Sequence, residues 1–270
     1  NSVNRDYLND DQLGRVMDKL YKYGLTQLFL EIAIALTKTF KIEVKFNHAD
    51  ITSFHLHGEY NYNYGELANP EEGLIKERPI IITQGYSRDH RPDLKQCVLS
   101  LVTTSDGDIP LLMRVGDGNE SDKAVLGHLL SSFKKQVDWS SIVVGDSLNY
   151  KNQQSCERGF RFLKDPVFFA DSLFVENPQR VETMLFVMTL CLLVYNLGQR
   201  EIRKNLQRAK LGIKNQVGKL TNRPTLRWIF QCFQGIHAVV INGVKQIVNL
   251  TDERQFILNF LPSSCQKYYL

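Results

Sequence analysis

Three carboxylates carry the chemistry this sequence could perform. Asp50 lies inside an alternating, β-prone run, Asp146 closes a short apolar run, and Glu157 sits in a polar stretch of helical spacing. Around Glu157, the residues Tyr150, Gln153, Glu157, Arg161 and Lys164 are three, four, four and three positions apart. Residues so spaced share one face of a helix. One stripe would then hold a phenol, an amide, a carboxylate, a guanidinium and an ammonium. Cys156, Phe160 and Leu163 fall off the stripe and are available for burial. Pro166 ends the helix, because the residue before proline disfavours the helical region. Carboxylate oxygens suit Mg2+ or Mn2+. Three of them from separate elements suit two such ions about 3.5–4 Å apart, clamping the oxygens of an in-line phosphoryl displacement. Plainer readings stand beside this one. Asp50 would serve equally as a turn residue between two shorter strands. The stripe would serve as a solvated helix face with a Glu157–Arg161 pair of about 0.2–0.5 kcal/mol.

The elements that would position these groups follow from periodicity. Asn9-Asp10-Asp11 starts a helix that stops at Gly24, and a second helix covers 26–40. Alternation predicts a strand over 42–56 with Asp50 at its centre. Residues 58–92 are polar and rich in Tyr, Asn, Glu and Arg, and read as a long loop or ordered arm. A hairpin follows, with strands over 95–104 and 109–115 about the turn Ser105-Asp106-Gly107-Asp108. A helix is predicted over 122–135 and a strand over 142–145, ending at Asp146. This order of strand, hairpin, helix, strand and helix resembles the connectivity of a ribonuclease-H-like nucleotidyltransferase core. The expected fold class is therefore α/β, a ribonuclease-H-like mixed sheet with helices, plus a largely helical C-terminal half. The expected domains are a helical segment 1–41, a catalytic core 42–177, and a helical, basic region 178–270 packing on the core.

Composition bounds the partners. The formal charge is +4, but residues 147–270 hold 17 Lys and Arg against 8 Asp and Glu, while the first 146 are net acidic. A basic half points to a polyanion. Residues 199–227 carry nine Lys and Arg and one Glu, a density that can track a phosphate backbone. Arg200, Arg203 and Lys204 are its first candidate DNA contacts. Within this half a long helix is predicted over 179–209, another opens at Pro224, Asn242-Gly243 marks a second hairpin, and a helix over 252–261 closes the chain. The five cysteines are dispersed without a C-x-x-C pair, which fits a reducing compartment and argues against zinc ribbons and redox motifs. The longest apolar run, 184–197, reads as too short for a bilayer span of about 20 residues, so no membrane partner is expected.

Several runs in order resemble the DDE transposases of bacterial insertion sequences, in the subgroup with a Tyr-x2-Arg-x3-Glu-x6-Lys signature. They are HADITSFHLHGEY (48–60), GYSRDHRPDLKQCVLSLV (85–102), DGNESDK (117–123), VVGDS (143–147), ERGFRFLKDP (157–166) and RPTLRWIFQCFQGIH (223–237). The resemblance covers nearly the whole chain. It implies Asp50, Asp146 and Glu157 as the catalytic, metal-binding triad for two Mg2+ (or Mn2+) ions. It implies water-driven nicking of the element end, then attack of the freed 3′-hydroxyl on DNA. Tyr150 and Lys164 match signature positions implied to touch phosphates of the element end. Gln153 stands where the signature has arginine, and Arg161, one turn from Glu157, is the candidate substitute. The implied partners are double-stranded DNA, as element ends and target, and a second copy in a homodimer. The implied location is the cytoplasm of a bacterium, at the nucleoid.

Two departures shape the expectation. A long β insertion is expected between the second Asp and the Glu, yet Asp146 and Glu157 are only 11 positions apart. The insertion and the fifth core strand are expected to be absent. The chain begins on Asn1 rather than methionine, so an N-terminal DNA-binding part is expected to be missing. Two rival functions follow. One is a catalytically inactive remnant that still binds DNA or a partner copy. The other is a host ribonuclease-H-like nuclease such as a junction resolvase, which fits the triad but not the runs outside it.

Overall fold

The computed structural model describes residues 9–61, 78–86, 91–120, 142–144, 154–165 and 177–269, with the single positions 127 and 175. The chain is mixed α/β and divides into two compact units, Asn1–Leu193 and Val194–Leu270.

The first unit opens with α1 (Asp10–Tyr23) and α2 (Leu25–Phe40). Asn9 caps α1, its Oδ1 accepting the Gln12 N–H at 2.9 Å. Such a cap contributes about 1 kcal/mol. Gly24, at φ 97°, ends one helix and begins the next in a conformation only glycine adopts without strain. The strands β1 (Phe46–Leu56), β2 (Lys95–Thr104), β3 (Pro110–Gly116) and β4 (Ile142–Val144) form one sheet in the order β3-β2-β1-β4. β1–β2 and β2–β3 are antiparallel, whereas β4 lies parallel to β1, with His48 opposite Val144. The sheet core is fully buried at Leu99, Leu101, Leu111, Leu112 and Met113. Two further helices belong to this part of the chain: α3 (Gln154–Leu163) and the start of α4 (Pro178–Ala209).

Asp50 resolves one open reading. β1 is a single strand of 11 residues that runs through Asp50 without a turn. The ladder pairs Asp50 with Leu101, so β2 holds the strand continuous despite the unfavourable residue.

Part of the segment read as a polar loop is core. Ile80 and Ile82 are buried, and Thr83 bridges Gln96 of β2. The Ile80 N–H donates to the buried Glu182 carboxylate at 2.8 Å, and the Ile81 N–H to Asp117 at 2.8 Å. Asp117 also takes the Arg78 guanidinium at 2.7 Å. Gly118 closes this clamp. Its N–H donates to Ile81 O at 2.9 Å, and a Cβ there would lie 2.1 Å from Gln96 O. Arg78 and Pro79 before the run Ile-Ile-Ile-Thr, and Gly85 after it, hid the strand-like strap. The positions 62–77 and 87–90 of the same segment, and the helix expected over 122–135 apart from Gly127, lie outside the described residues.

α4 is 32 residues long and, by length and composition, apolar enough to cross a bilayer. Its span matches the expected 179–209, and it continues past the apolar run 184–197 through polar residues. In this fold its apolar side is used for packing. Phe186 meets Phe29 of α2 edge-on at 6.2 Å, and Val181 and Leu185 are buried. Arg180 pairs with Asp18 of α1 at 3.2 Å, above the buried Gly14.

The second unit contains the end of α4, a small hairpin of β5 (Ile213–Lys214) and β6 (Leu220–Thr221), α5 (Leu226–Phe233), a hairpin of β7 (His237–Ile241) and β8 (Val244–Val248), α6 (Asp252–Leu258) and α7 (Ser263–Gln266). Its core gathers Ile202, Leu206, Ile213, Leu226, Ile229 and Ile257. Thr225 and Thr251 cap α5 and α6 through their hydroxyls. The Asn242-Gly243 turn has both residues at positive φ, as a two-residue hairpin requires. The closing helix is shorter than expected. It stops at Leu258, with Asn259 as C-cap, and Pro262 begins α7 instead. The hairpin β5–β6 had too few residues to give a periodic signal.

Candidate active site

Asp50 sits half-buried on β1, its Oδ1 accepting the Ile51 N–H at 2.7 Å. Alternation along the strand puts His48, Asp50, Thr52 and Phe54 on one face. α3 lies over that face. Cys156 Sγ is 3.3 Å from His48 O and 3.2 Å from Thr103 Oγ1. A Cβ on Gly159 would lie 3.9 Å from Leu101, the residue paired with Asp50. At the far end Lys164 Nζ lies 5.7 Å from the Phe54 ring centroid. Arg158 grips Asp108 of the β2–β3 turn with two bonds of 3.0 and 2.9 Å. The helix bearing Glu157 is therefore held over the face bearing Asp50 by the Cys156 thiol, and by an ion pair to the turn at the end of the sheet.

Glu157 and Arg161 are exposed on α3, and Lys164 is half-buried one residue beyond it. The three keep their four- and three-residue spacing. Cys156, Phe160 and Leu163 are buried, as their place off the stripe requires. Asp146, Tyr150 and Gln153 lie outside the described residues.

Electrostatics on this face separate hard from soft donors. Burial pushes the Cys156 thiol up to about 12, with Asp50 and Asp108 adding to the shift against the Thr103 hydrogen bond. It stays a thiol at neutral pH. Burial lowers His48, whose Nε2 lies 2.8 Å from Ser105 Oγ. What this face offers a cation is carboxylate oxygen, which suits Mg2+ or Mn2+. Among the described residues no group of three or more His, Cys, Asp and Glu side chains is gathered to hold a metal.

A model of the family described as a domain of unknown function, DUF4277, matches residues 1–34. That domain is commonly found in transposase-like proteins. The match covers the Asn9 cap, α1 and α2 as far as Ile34. No curated protein and no solved structure matches the chain.

The basic stretch divides on inspection. Arg200 is buried, 8% exposed, and pairs with Glu201. Arg203 donates from Nε to Pro224 O at 2.8 Å, and Lys204 is half-buried. The exposed cations lie further on, at Arg208, Lys210, Lys214, Lys219, Arg223 and Arg227. Counting charge along the chain misses this. Residues 202–251 hold nine Lys and Arg and not one Asp or Glu. That gap in acidic residues was the signal available in the sequence.

Proposed function

We propose that this chain is a transposase-type nucleotidyltransferase, acting in metal-dependent DNA strand cleavage and strand transfer at insertion-sequence ends. The observation that carries the reading is the parallel register of β1 and β4. His48 faces Val144, and Asp50 and Asp146 each follow that pair by two residues. The helix with Glu157 packs on the same face of β1. The sheet order β3-β2-β1-β4, with only β4 parallel, supports a ribonuclease-H-like core. The 1–34 match is consistent with it.

Asp50, Asp146 and Glu157 would hold two Mg2+ or Mn2+ ions, which supply Lewis-acid stabilisation of the attacking and leaving oxygens. The chain's own part is positional. β1 and β2 fix Asp50, α3 presents Glu157, and Arg161 and Lys164 stand on the Glu157 side to meet phosphate oxygens. The cations of 202–251 would hold the duplex. The expected location is bacterial cytoplasm, at the nucleoid, with double-stranded DNA and a second copy as partners.

The test is nicking of supercoiled plasmid with Mg2+ or Mn2+. Nicking that disappears in both Asp50→Asn and Asp146→Asn supports convergent carboxylates. Folded protein that never nicks but still binds DNA turns the reading to an inactive, DNA-binding remnant. The acid-free stretch favours that second reading independently of the carboxylates.

A further inference from the structure

The hairpin of β7 and β8 is exposed along nearly its whole length. Val240 is 68% exposed, Val244 60% and Ile241 52%. A two-stranded hairpin alone is marginal in water, and stability comes with three or more strands and an apolar face. Its faces are unlike. The register pairs His237 with Val248, Val239 with Gln246 and Ile241 with Val244, so these six share one face, which carries no charged residue apart from titratable His237. Ala238, Val240, Lys245 and Ile247 share the other.

The two edges are also unlike. Because the loop has two residues, Ile241 and Val244 exchange both backbone bonds. Alternation then turns the amides of Ala238 and Val240 outward on β7, and those of Lys245 and Ile247 outward on β8. Natural edge strands are commonly guarded by lysine, proline or a bulge. Lys245 guards β8. β7 holds five residues, His-Ala-Val-Val-Ile, with no lysine, proline or bulge.

We propose that the β7 edge is the seat of a second copy of this chain, paired antiparallel with its own β7 about a two-fold axis at Val239. The pattern is self-complementary. With Val239 on the axis, Ala238 lies opposite Val240 of the partner subunit, and these are the residues whose amides face outward. Each such pair exchanges two backbone bonds, and the two-fold supplies the pair twice. The two hairpins become one four-stranded sheet whose shared face carries Val239, Ile241, Val244 and Val248, with His237 and Gln246 among them. Charge selects the occupant. β7 carries no Lys, Arg, Asp or Glu, so two copies of it meet across the axis without like charges opposed. The pairing is independent of the cleavage chemistry proposed above.

Sedimentation of the full chain over a wide concentration range tests it. The wild type should show a monomer–dimer equilibrium. Val240→Lys, at an exposed position, should weaken the dimer by about tenfold or more with the circular dichroism unchanged. In a Cys191→Ser, Cys265→Ser background that removes the exposed thiols, Val239→Cys, directly opposite itself at a Cα spacing that permits a disulfide, should give a dimer crosslinked by mild oxidant, while Val244→Cys and the unsubstituted background should not. A wild type that is monomeric throughout, a Val240→Lys dimer as tight as the parent, or Val244→Cys crosslinking as well as Val239→Cys would each overturn the pairing.

Discussion

Cys156 of α3 reaches across to His48 of β1, its Sγ 3.3 Å from the backbone carbonyl, one residue before Glu157 and two residues before Asp50 on the respective elements. That contact sets the height of the helix above the strand. Replacing the thiol with a larger side chain should lift the helix. Cys156→Leu should destabilise the fold by about 1–3 kcal/mol through overpacking, read by urea denaturation. If the proposed centre operates, nicking should fall further than the loss of folded protein explains. Unchanged stability would mean that the helix is held elsewhere.

Gly118 makes a sharper demand. A methyl group there would collide with the carbonyl oxygens of Gln96 and Thr83, at 2.1 and 2.5 Å, and neither is a flexible side chain. Gly118→Ala should cost about 3 kcal/mol or more, at the severe end for a single change. The loss would be seen as a drop in Tm. Gly127→Ala, where a Cβ would meet nothing among the described residues, is the matched control.

Acid should weaken the first unit through His48. Burial lowers its pKa from the ordinary 6.5, so the folded state prefers the neutral ring. Between the ordinary and the folded value the unfolded chain binds the extra proton. The His48 contribution is therefore complete above about pH 6.5 and is lost as pH falls towards the folded value. Thermal unfolding between pH 7 and 5 should show this slope, and His48→Asn should flatten it. An identical slope in the variant would remove His48 as its source.

The exposed lysines of the β5–β6 hairpin should matter to DNA more than Arg200 does. Lys214→Glu with Lys219→Glu should weaken duplex binding uniformly across sequences and reduce the slope of log K against log salt by about 2, one per lost phosphate contact. Arg200→Gln should leave that slope alone, because its guanidinium is buried against Glu201. Fluorescence anisotropy over a salt series separates the two.

Much of this arrangement was legible in the chain. Alternation located β1 and the β2–β3 hairpin, and Asn-Gly located the β7–β8 turn. The helical stripe around Glu157 separated Cys156, Phe160 and Leu163 from their exposed neighbours correctly. What escaped was tertiary. Ile80 and Ile82 read as loop because Arg78 and Pro79 precede them and Gly85 follows. Only the clamp from Asp117 and Glu182, residues far along the chain, satisfies their backbone and lets them into the core. Arg200 read as a phosphate contact because charge density does not reveal which side of a helix is buried. The three-residue run of β4 says nothing of its own pairing; only the expected order of elements pointed to the sheet, where it lies parallel to β1.

The acid-free stretch 202–251 has one more property. Its ionisable groups apart from His237 and the half-buried Cys232 are lysines and arginines, which keep their protons far above neutrality. Its cationic charge is thus nearly constant over the whole pH range a cell visits. A polyanion held there would not be released by a proton signal. Ionic strength, or a competing polyanion, is the lever that lets go.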